Sequence, residues 1–116
     1  RDDDTIVSID TETMEVTKCS PTGRDPNRIY ADPLNRLITT NYGESSLSVF
    51  DQELNALGLI ELDSIPIAMS FHPDGQHAFI SMKGDKIAML HLESGRVVKS
   101  FATRAEPDVS KLIVRN

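Results

Sequence analysis

The sequence predicts an all-β chain built from four-stranded antiparallel meanders, and three observations predict it. Segments echo one another at a spacing of 40 or 41 residues, turn-forming residues recur at the same spacing, and no stretch carries apolar residues at the helical period. A unit near forty residues with four short strands has the length of one β-propeller blade, whereas helical repeats of similar length would show 3.6-residue spacing. A β-sandwich is the alternative all-β reading, but it requires no such echo.

The first element is Thr5-Ile6-Val7-Ser8-Ile9-Asp10. It falls on Ser46-Leu47-Ser48-Val49-Phe50-Asp51 at a shift of 41, and on Ile87-Ala88-Met89-Leu90-His91-Leu92 at a further 41. A second apolar run follows each copy, at residues 15–18, 56–62 and 97–101, with Val16, Leu57 and Val98 in the same place. Next come Pro26, Pro66 and Pro107, each just before a further strand at 28–31, 67–71 and 109–114. Proline fixes the entry to a strand where no ladder N–H is needed.

Turns repeat as faithfully as strands. Asp32-Pro33 and His72-Pro73 are 40 apart, and Gly43 and Gly84 are 41 apart. In the clearest unit, Pro73-Asp74-Gly75 supplies the preset φ and then the left-handed residue of a tight hairpin. The resulting layout is the two outer strands of one blade at 5–22, full blades at 28–62 and 67–101, and the start of another at 109–116. Strands such as 87–92 are apolar on both faces, so both must be covered, and neighbouring blades provide that cover. Two full blades cannot close a ring. The expectation is an incomplete ring, finished by the rest of a longer polypeptide or by another chain, identical copies included.

At this point the residues resemble a known family. Thr5 to Asp10 followed by Thr11-Glu12-Thr13, and Phe71-His72-Pro73-Asp74-Gly75 followed by Phe79-Ile80-Ser81, look like the YVTN family of β-propeller repeats. That family's closing element appears as Leu37-Ile38-Thr39-Thr40-Asn41, as Phe79-Ile80-Ser81-Met82, and as Leu112-Ile113-Val114-Arg115-Asn116. Two positions depart from the pattern: Leu34-Asn35 stands for the Asp-Gly turn in one unit, and Leu92 for the strand-end Asp in another. The chain has no Trp, which disfavours WD-repeat and quinoprotein blades, and it lacks the paired glycines of kelch blades. The resemblance implies an extracytoplasmic or cell-surface protein.

Composition narrows the partners. The chain has 116 residues, enough for one modest domain. With 18 acidic and 12 basic residues the net charge is −6, and the Lys and Arg are scattered, which disfavours nucleic acid. No apolar run approaches the ~20 residues of a membrane span. No signal-peptide pattern is visible in this stretch. Cys19 stands alone and reads as a small strand residue.

No nucleophile elbow, phosphate-binding glycine loop or His-Glu-x-x-His motif occurs, which lowers the case for an enzyme formed by this chain alone. By analogy with the fold, function sits on the rim where blade-joining loops meet the loops between second and third strands. Those loops place Arg24, Asp25, Arg28, Tyr42, Asp63, Arg104 and Glu106 as candidates for binding a protein or small ligand. The arginines suit a carboxylate or phosphate, and Tyr42 a partner contact. Asp25, Asp63 and Glu106 recur near matching prolines, where a carboxylate ring would suit a hard cation, solvated loop acids being the plainer reading. His72, His77 and His91 fall on different strands and turns, so packing or surface roles are expected rather than a shared metal site. No catalytic residue and no cofactor is assigned. A binding or scaffold module is the preferred function, and a propeller enzyme with a metal or cofactor in its channel is the alternative.

Overall fold

The computed structural model describes residues 4–102. Ten strands and no helix are found there: β1 Thr5–Ile9, β2 Val16–Pro21, β3 Pro26–Ala31, β4 Leu37–Asn41, β5 Ser46–Phe50, β6 Ala56–Glu61, β7 Pro66–Phe71, β8 His77–Met82, β9 Lys86–His91 and β10 Arg96–Ala102. They form a β1-β2 pair and two four-stranded sheets, β3-β4-β5-β6 and β7-β8-β9-β10. Every pairing joins neighbours in sequence and runs antiparallel. Among the described residues no helix is long and apolar enough to cross a membrane.

Side-chain alternation gives the first full sheet two different faces. Ile38, Leu47 and Val49 point toward the second sheet and meet Met69, Ala78, Ile80, Met82, Ala88, Leu90 and Leu92 in one buried cluster. Each fully buried Leu, Ile or Met of that seam contributes about 1.5–3 kcal/mol. The opposite face carries Thr39, Asn41, Ser46 and Ser48, all buried, and beyond them Phe50 and Leu54 pack on Ile6 of β1. One seam is therefore dry and the other largely hydroxyl and amide. Polar links also tie the sheets together: the Tyr30 hydroxyl accepts from the Met69 amide at 3.2 Å, and Arg36 reaches the Leu92 carbonyl at 2.9 Å.

Turn chemistry explains both departures from the family pattern. Asn35 has φ 65° and Gly75 has φ 71°, so Asn fills the left-handed position that Gly fills in the next unit. Asp32 accepts from the amides of Leu34 and Arg36, while His72 accepts from the amide of Asp74. The second departure is a shift of register. Phe50 pairs with Leu37 and Leu90 with Ala78, which makes His91, not Leu92, the counterpart of Asp51. The slip arises because the β8–β9 turn, residues 83–85, is one residue shorter than the β4–β5 turn, residues 42–45. Asp51 holds the amides of Glu53 and Asn55, and His91 does the equivalent work through Ser94.

One buried polar atom lacks a partner among the described residues, the Thr40 hydroxyl. Thr40 shares its face with Leu47, its cross-strand neighbour, so the hydroxyl is desolvated with no hydrogen bond in return. Thr40→Val should raise the stability of the chain by about 1 kcal/mol in urea titration.

Candidate functional site

The blade-joining segments and the turns between second and third strands meet on one rim, as the topology demands of a meander. Backbone hydrogen bonds fasten them. The Tyr42 amide donates to the Asp25 carbonyl at 2.8 Å, Gly43 to Arg24 at 3.0 Å, Leu62 to Ser45 at 2.8 Å and Lys83 to Ile65 at 2.9 Å. Ser64 Oγ adds a 2.6 Å bond to the Lys83 carbonyl.

Beneath the first of these junctions lies a buried network. Thr39 Oγ1 donates to Asn41 Oδ1 at 3.1 Å, and Asn41 Nδ2 donates to Ser46 Oγ at 3.0 Å and Ser48 Oγ at 2.9 Å. Ser48 Oγ accepts the Gly23 amide at 2.9 Å. Glu44 closes the set, accepting from Ser46 Oγ and from the Arg24 amide, both at 2.8 Å. A Cβ at Gly23 would collide with Nδ2 and Cγ of Asn41, so the loop approaches the sheet as closely as it does only because residue 23 has no side chain.

The outer surface of this rim is charged and of mixed sign. Arg24 is exposed while Asp25 is partly buried, with φ 52°. Lys83 Nζ lies 4.6 Å from the centre of the Tyr42 ring, joining the two full sheets by a cation–π contact. Asp63 is exposed, with Lys86 Nζ 3.9 Å from Oδ2. A cleft of about 420 Å³ opens beside the rim, lined by Thr22, Gly23, Glu44, Ser48, Phe50 and Leu59 among others.

Of the residues expected from the sequence, Arg24, Asp25, Tyr42 and Asp63 belong to this rim. Arg28 lies exposed on β3, an edge strand of its sheet, beside Asn27. Arg104 and Glu106 lie outside the described residues. No group of three or more His, Cys, Asp or Glu among the described residues is arranged to hold a metal ion. Asn41, Ser48, Glu44 and Lys83 were not singled out from the sequence. The visible signal for Asn41 was its alignment with Met82, a polar residue set against an apolar one in the self-comparison. Cys19 sits on β2 and is exposed.

The opposite rim holds the hairpin turns and an unexpected group. Register places His77 directly across from His91, and the His72 amide donates to the His77 carbonyl, so three imidazoles stand side by side. Asp74 lies among them. The Gln76 amide, followed by the His77 side chain, holds its carboxyl at about 2, below the ordinary 3.8. A depressed carboxyl stabilises the fold above its unfolded value and loses that contribution as pH falls toward the folded one. Stability should therefore drop between about pH 4 and pH 2, and Asp74→Asn should flatten that part of an acid-unfolding curve followed by circular dichroism.

No protein-family model and no curated protein matches the sequence. Solved structures do match. The dihydro-heme d1 dehydrogenase NirN in complex with DHE superposes with a TM-score of 0.75 at 18% identity, over 88% of this chain and 24% of that one. The Swd1 β-propeller domain of Myceliophteria thermophila gives 0.63 at 14% identity, over 75% and 29%. The chain is a set of β-propeller blades that do not close a ring. A protein of unknown function from Bacteroides caccae gives 0.61 at 16% identity, over 84% and 38%. The chain thus spans roughly a quarter to two fifths of these structures, and at such identities the likeness concerns the fold.

Proposed function

We propose that the chain is a binding module of the YVTN propeller type, which presents the rim of residues 22–25, 42–45, 62–65 and 83–85 to a protein or small ligand. The observation that carries this reading is how those loops are held. Each blade-joining loop is bonded to the adjacent second-to-third-strand turn through backbone groups, and the first is further pinned by buried Asn41 and Ser48. Loops fixed in this way lose little conformational freedom on binding, which favours recognition. Arg24 and Tyr42 are the side chains expected to touch the partner.

In the complete protein, Arg24→Ala combined with Tyr42→Ala should abolish partner capture in a pull-down, with the circular dichroism spectrum unchanged. Undiminished capture by the folded double variant would remove the rim from consideration.

A second reading is a cofactor-holding propeller, favoured by the match to a dehydrogenase solved with DHE and by Arg28 exposed on the edge strand β3. Metal analysis and an absorption spectrum of the complete protein separate the two: a colourless, metal-free, ligand-capturing protein supports the first and counts against the second.

A further inference from the structure

We propose that the cleft beside the rim receives an arginine side chain of a protein partner, with Glu44 holding its guanidinium and an apolar wall holding its methylenes. This rests on the rim being the binding surface and names what that surface recognises. The wall follows from register. Leu59 lies opposite Ser48, and Ala56 opposite Phe50, across β5 and β6, so all four side chains leave the face of the sheet on which Phe50 meets Ile6 of β1. Strand β6 is the outer edge of its sheet, and a Cβ added to its Gly58 would meet nothing within 4 Å. The space left between β6 and Pro21 at the end of β2 is the cleft of about 420 Å³. Leu59 is 53% exposed there.

Charge is what selects the occupant. Glu44 is the one ionisable side chain among the described residues that line the cleft. Its carboxyl carbon lies 3.1 Å from the point a Cβ would occupy on Gly23, so the bare backbone at residue 23 leaves that carboxylate uncovered. Both oxygens accept from neutral donors, Oε1 from the Arg24 amide and Oε2 from the Ser46 hydroxyl, each at 2.8 Å. No ion pair to Glu44 forms among the described residues. A carboxylate offers roughly four acceptor sites, so each oxygen keeps capacity for one more donor. Two such acceptors side by side suit the planar fork of a guanidinium better than the point charge of an ammonium. Behind the fork, the methylenes of an arginine lie along Leu59 and Ala56, as amphipathic side chains do on apolar surface. An anionic ligand would be repelled at the same place, and the net charge of −6 favours encounter with a basic partner.

The test is titration of the 15N-labelled chain with acetyl-arginine methylamide, read by amide chemical shifts, beside the citrulline analogue, which keeps the shape and loses the charge. The expected result is saturable shifts at Gly23, Ser48 and Leu59, with the arginine probe bound about tenfold or more tighter than the citrulline probe. Glu44→Gln should remove that preference, and Leu59→Ser, which touches no hydrogen bond of the loop, should weaken both probes. A thermal melt of each variant keeps a folding defect apart from a lost contact. Equal binding of the two probes, shifts confined to other residues, or an undiminished preference in folded Glu44→Gln would overturn the assignment. The rim reading fails separately: a partner that the complete protein captures equally well with Glu44→Gln, but loses with the Arg24 and Tyr42 substitutions, would leave the rim standing and strike the cleft.

Discussion

Replacing Arg36 by Ala should cost the fold about 3 kcal/mol, the low end of the range for breaking a buried ion pair from one side. The Asp32 side chain is fully buried and Arg36 Nη2 stands 2.7 Å from its Oδ2. Removing the guanidinium leaves the carboxylate with only the amides of Leu34 and Arg36, and the same change deletes the 2.9 Å bond to the Leu92 carbonyl in the neighbouring sheet. A domain is normally stable by only 5–15 kcal/mol. Urea unfolding followed by circular dichroism should show a midpoint far below that of the wild type. Arg36→Lys, which keeps the charge but cannot bond Asp32 and Leu92 with one planar fork, should fall between the two. A midpoint unchanged in Arg36→Ala would mean that the pair contributes nothing to blade association.

Asn41→Leu should be comparably damaging, about 3 kcal/mol, although leucine fills similar space. The amide bonds three hydroxyls at once, those of Thr39, Ser46 and Ser48; its loss strips Thr39 Oγ1 of its acceptor and leaves Ser46 and Ser48 each one donor short, and a buried polar group left without a partner costs about 1–3 kcal/mol. The loss should not stop at stability. Ser48 holds the Gly23 amide, so the first blade-joining loop loses its anchor as the network collapses. Limited proteolysis should then cut near residues 22–25 in the variant while leaving the wild type intact. A variant as stable and as resistant as the wild type would show that the network is dispensable.

Much of the architecture could be read in the sequence because its signals are local. The strands follow from apolar residues bounded by Pro, Gly, Asp and Asn, and the convergence of Tyr42 with Arg24 and Asp25 follows from the connectivity of a meander. What escaped depends on register. Whether Thr39, Asn41, Ser46 and Ser48 share a face turns on the length of the 42–45 turn, since a slip of one residue sends every side chain to the other side. The same one-residue uncertainty concealed that His91 matches Asp51, and with it the pairing of His77 with His91. Arg36 and the Leu92 carbonyl are 56 positions apart in sequence, and no pattern along the chain announces that they meet.

The unlike seams of the first full sheet bear on how such rings are assembled. Its hydroxyl-rich side accepts the preceding segment through Gly23 and Ile6, whereas its aliphatic side accepts Met69, Ile80 and Met82. Exchange the two units in a shuffled gene, and methionines would confront an amide cluster that they cannot bond. Blade order is thus written twice, once in the covalent thread and once in the chemistry of each contact surface, and that second record resists both misassembly and careless grafting.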